Sequence, residues 1–141
     1  MLGQFFVGIA ISSVNLGLHA AGTIMLDRIV QRYWGEKLDE HPTDECFLLL
    51  ICVGTGLMVA HFLEVFVWAF FYDLLGVSPP GTDAVYFALA QYTTLGHGEA
   101  IQAHDWALLG PITAANGLLL FGWSTAVIFE VVRTTIPGLR A

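Results

Sequence analysis

The residues best suited to chemistry in this chain are Thr93-Thr94-Leu95-Gly96-His97-Gly98-Glu99, at the end of a short apolar segment, Ala84 to Thr94. A cation crosses a bilayer only if oxygens replace its water shell. Successive backbone carbonyls aimed at one axis do this, with a threonine hydroxyl at the inner end. Turning consecutive carbonyls the same way needs backbone geometries that glycine reaches readily, which gives Gly96 and Gly98 a purpose. Irregular backbone at membrane depth must be buried in protein or line a water cavity, so such a loop implies a ring of chains. A glycine-rich connection without conduction is the competing reading.

A second group of chemically capable residues is scattered through apolar sequence. Glu64 is an ionisable group in a hydrophobic run, with His61 one turn earlier and Trp68 one turn later. Such a group requires a partner. Two ligands spaced i,i+3 are thin evidence for a metal, so a helix-packing or hydrogen-bonding role is expected, and no catalytic residue is assigned. Asn15 and His19, spaced i,i+4, predict a face that meets His61 or Glu64 and docks the first helix. Ser13, Gly17 and Ala21 form a small-residue stripe expected to pack against protein. Cys46 and Cys52 lie six apart on one helix, point away from each other and cannot be bridged.

The elements that must position these residues follow from the distribution of charge. The 141 residues are 56% hydrophobic and 12% charged, against about 25% charged in ordinary soluble domains. A soluble enzyme is excluded, and five Lys+Arg leave no nucleic-acid footprint. Three runs are long enough to cross a bilayer as helices: Phe5–Leu26, Cys46–Tyr72 and Trp106–Phe129. The first lacks the basic start of a signal peptide and is read as a retained span. Ala84–Thr94 is too short to span and suits a re-entrant helix, capped by Thr82 or Asp83. The basic residues Arg28, Arg32 and Lys37 follow the first run, and Arg133 and Arg140 follow the third. With three spans and one re-entrant segment, both groups fall on one side, the cytoplasm by the positive-inside rule. The N-terminus then lies outside, and the outer face carries Asp73, Asp83, Glu99 and Asp105.

From Pro80 to Phe129 the chain resembles the pore module of the potassium-channel superfamily, of the two-helix "ion channel" type found in many bacteria; with an outer helix from Cys46, the likeness extends to Val131. The residues that carry it are Thr94-Leu95-Gly96-His97-Gly98, in the place of the family's T-V-G-Y-G filter, followed by Glu99 where an Asp is frequent. The resemblance implies an all-α membrane protein, three transmembrane helices plus a pore helix and filter loop, assembled as a homotetramer in the plasma membrane, in bacteria the inner membrane. It implies K⁺ as permeant ion, held by backbone or hydroxyl oxygens of Thr94, Leu95, Gly96 and His97, with no other cofactor. Tyr86 and Phe87 would brace the filter with Thr93 and Glu99, a phenol at Tyr86 reaching Glu99. Gly117 and Gly122 are hinge candidates, tight packing being the other reading of both, and Thr113 and Asn116 are expected to face the cavity. Ala90 stands where some relatives carry a second carboxylic acid.

The implied segments are an N-terminal helix over 1–34, a cytoplasmic loop over 35–45, a pore module over 46–131 and a tail over 132–141. Within the module the expected parts are an outer helix 46–72, a pore helix 83–94, a filter 94–99 and an inner helix 106–131. Leu95 and His97 depart from the filter pattern, so a weakly selective cation pore stands beside a K⁺ channel. A non-conducting channel-like subunit or sensor is the alternative from another class. An imidazole titrates at roughly pH 6.5 when unperturbed, so His97 reads either as a pH sensor or as a hydrogen-bonded structural residue. No helix repeats Arg at every third position, so no voltage sensor is encoded, and no soluble regulatory domain is expected. Glu130 and Arg133 are spaced to pair or to form an entrance ring.

Overall fold

The computed structural model describes residues 2–34, 43–96 and 106–135. Four helices account for nearly all of them: α1 Leu2–Trp34, α2 Thr43–Leu74, α3 Ala84–Tyr92 and α4 Leu109–Thr135. No strand occurs among the described residues. α1, α2 and α4 are each long and apolar enough to cross a membrane. α3, at nine residues, covers about 14 Å at 1.5 Å per residue and cannot.

Local sequence sets the ends of these helices. Asp83 caps α3, its Oδ1 accepting from the backbone N–H of Val85 at 2.9 Å and of Tyr86 at 3.0 Å. Pro111 sits in the first turn of α4, where its missing N–H has no partner to lose. Gly76 and Gly81 take positive φ in the connection between α2 and α3.

The core lies where α2, α3 and α4 meet. Trp68, Tyr72, Phe87, Tyr92, Leu109 and Leu120 are fully buried there, with Ile11 of α1 added from the side. Phe87 packs on Tyr72 with ring centroids 5.3 Å apart. A second apolar cluster joins Leu49, Val53 and Leu57 of α2 to Leu26 and Val30 of α1 and to Val127 and Val131 of α4. The α1 end bearing Arg28 and Arg32 therefore lies beside the α4 end bearing Arg133. At the opposite end the Leu108 N–H donates to Gln4 Oε1 at 3.1 Å. Arg28, Arg32 and Arg133, the basic residues among those described, share one end of the bundle, the arrangement that a re-entrant α3 requires.

The buried stripe of α1 is Gly8, Ile11, Asn15 and His19, at helical spacing. Ser13, Gly17 and Ala21, expected to pack against protein, lie on the exposed face of the single protomer. Groups that need hydrogen bonds set the docking face within the protomer, because leaving them in lipid costs several kcal/mol each.

Candidate functional site

The end of α3 carries the loop singled out by its glycines. α3 stops because Thr94 enters the left-handed region at φ 63°, the role glycine usually fills at a helix C-terminus. A β-branched residue seldom adopts that geometry, and the conformation costs about 1–3 kcal/mol unless its surroundings impose it. The Thr94 N–H donates to Gln91 O at 3.0 Å, and the Gly96 N–H returns to Ala90 O at 3.1 Å. Gly96 also has positive φ, 72°. Thr93 Oγ1 donates to Leu89 O at 2.8 Å. The chain thus folds back over the carbonyl end of the short helix. Leu95 is 76% exposed on the protomer. His97, Gly98 and Glu99 lie outside the described residues, as does any contact from Tyr86 to Glu99. Phe87 is buried under the core and Tyr86 is exposed.

α4 supports this end through Gly117. A Cβ on Gly117 would stand 2.1 Å from the carbonyl oxygen of Tyr92, so only glycine lets α4 meet the last turn of α3. Gly122 has open space at the corresponding point. Thr113 and Asn116, expected at a cavity, are buried within the protomer. Thr113 Oγ1 donates to Leu109 O at 2.8 Å and so accepts from the Tyr72 hydroxyl at 2.6 Å. Asn116 Oδ1 accepts from Trp68 Nε1 at 3.0 Å and from Asn15 Nδ2 at 3.1 Å. Both polar groups face α1 and α2, where internal partners exist.

Behind the short helix sits a buried polar cluster drawn from all four helices. Glu64 is fully buried. Its Oε1 lies 2.7 Å from His19 Nδ1. Its Oε2 lies 3.1 Å from His61 Nδ1 and accepts a short hydrogen bond from the Tyr92 hydroxyl. Asn15 Nδ2 also donates to the Glu64 backbone carbonyl at 3.3 Å. Ser124 Oγ sits 2.9 Å from His61 Nε2 and 3.4 Å from His19 Nε2. The Asn15–His19 face of α1 therefore meets Glu64, as its spacing predicts. Tyr92 and Ser124 complete the cluster and escape sequence reasoning, since neither a tyrosine ending a short helix nor a serine among small residues is unusual. At the basic end Glu130 and Arg133 pair in two hydrogen bonds of 3.0 and 2.9 Å on the exposed face of α4.

Two membrane-length helices flanking a short helix, with an irregular glycine loop at its carbonyl end, define a pore module. The family model described as "Ion channel" matches residues 58–134, more than half of the chain. The chain belongs to that ion-channel family and is a multi-pass membrane protein embedded in a lipid bilayer, with one apolar helix, α1, preceding the module. No curated protein and no solved structure matches it.

Proposed function

We propose that four copies of this chain form a passive cation channel that conducts K⁺ through a filter built from Thr94, Leu95, Gly96, His97 and Gly98. The observation that carries the reading is the return of the backbone at Thr94 and Gly96 over the carbonyl end of α3. That end bears partial negative charge, which favours a cation beside it. The exposed Leu95 supports assembly: an open irregular loop is untenable at membrane depth unless other protein or a water path covers it. Both basic helix ends lie together, which by the positive-inside rule favours a cytoplasmic C-terminus and an outer N-terminus. A plasma membrane, the inner membrane in bacteria, is the compartment that fits. Gating would come from the loop, from α4 or from α1.

A cation pore of weak selectivity is the second reading, and Leu95 and His97 in place of the usual valine and tyrosine favour it. Purified protein in liposomes, assayed for K⁺, Na⁺ and Ca²⁺ flux, tests both. K⁺ flux well above Na⁺ flux supports the first, equal fluxes the second. Absence of flux from an intact oligomer overturns both.

A further inference from the structure

His19, His61, Glu64, Tyr92 and Ser124 bring two imidazoles, a carboxylate and two hydroxyls together between the spans. Glu64 Oε1 lies 2.7 Å from His19 Nδ1, and Oε2 lies 3.1 Å from His61 Nδ1, which is also 2.9 Å from the Tyr92 hydroxyl. Both Nε2 atoms face Ser124 Oγ, at 2.9 Å from His61 and 3.4 Å from His19. His19 and Glu64 are fully buried.

The donor set suits a metal ion. His19, His61 and Glu64 each bring a ligand atom to within 4.8 Å of the other two, and the imidazole centroids are 5.3 Å apart. Two imidazoles and one carboxylate are the protein ligands of open zinc sites, which keep a fourth position for water. A metal on the two Nδ1 atoms and Glu64 turns both Nε2–H groups toward Ser124 Oγ, whose two lone pairs accept both. Such an outer hydrogen bond is what usually fixes a ligating histidine. The Ser124 proton is then free for its own helix. A cavity of about 200 Å³, lined by His61, Leu89, Tyr92 and Phe121 among others, adjoins the partly exposed His61.

We propose that His19, His61 and Glu64 bind one divalent transition-metal ion, of the Zn²⁺ class, that ties α1 to the pore module inside the membrane. Through Tyr92, bonded to Glu64, the ion also bears on the end of the short helix. The inference does not depend on conduction, because binding is measured directly.

Full-length protein in detergent, stripped by chelator and titrated with Co²⁺, tests it. The expected result is one Co²⁺ per chain with the intense visible bands of a four-coordinate site. Ser124→Ala should weaken binding about 10–100-fold. His19→Cys and His61→Cys keep a ligand in place and should each add a thiolate-to-cobalt band in the near ultraviolet. Less than a tenth of an equivalent bound to wild type overturns the proposal. Stoichiometric binding with no new band in either cysteine variant overturns it as well.

Discussion

The carbonyl oxygen of Tyr92 lies where a side chain on Gly117 would begin, 2.1 Å from the position of its Cβ. The last turn of α3 therefore rests on the backbone of α4, and backbone cannot give way as a flexible side chain can. Gly117→Ala must push the two helices apart by more than an ångström or break the turn. Overpacking of this kind costs about 1–3 kcal/mol. We expect a lower unfolding temperature and at least tenfold less K⁺ flux in liposomes. Gly122→Ala, with open space at its Cβ, should match wild type in both assays. Equal behaviour of the two variants would remove Gly117 as the support of the loop.

Gly96 makes a separable contribution. Its φ of 72° is a region where alanine is strained by about 1 kcal/mol or more, yet nothing lies near its Cβ. Gly96→Ala should leave folding and oligomer size close to wild type and lower flux sharply. Flux at the wild-type level would take conduction away from this loop.

How far the sequence carried depended on whether a residue's partner could be inferred from spacing. Span number, the short helix and the Asp83 cap rest on local pattern, and each is present. Asn15 and His19 are legible because a polar pair at i,i+4 in lipid must meet another polar group, and His61 and Glu64 are the ionisable residues within the neighbouring span. Polarity at Thr113 and Asn116 on an inner helix has two outlets, water or protein. Tyr72 and Trp68, 41 and 48 residues away, decide for protein, and nothing in the pattern announces them.

The Asp83 cap should matter beyond its size. Its carboxylate satisfies two backbone N–H groups at the start of a helix of only nine residues. Replacing such a cap by alanine costs about 1 kcal/mol. Asp83→Ala should raise amide hydrogen exchange at Val85 and Tyr86 and reduce flux several-fold, and Asp83→Asn, which still accepts, should recover most of both. No recovery with asparagine would assign the effect to charge at the outer mouth rather than to capping.

Glu64 joins α1, α2 and α3 through His19, His61 and Tyr92, so its removal strands several donors at once. A buried donor left without its acceptor costs about 1–3 kcal/mol. In metal-free protein, Glu64→Ala should lower the unfolding free energy by about that much, and Glu64→Gln by less, because an amide still accepts from Tyr92. His19→Ala should act on the same contact, so the double variant His19→Ala/Glu64→Ala should fall short of the summed single effects by about 1 kcal/mol or more. Purely additive losses would mean that α1 is held by its apolar contacts, such as Gly8 against Ile112, and that the His19–Glu64 bond merely accompanies docking.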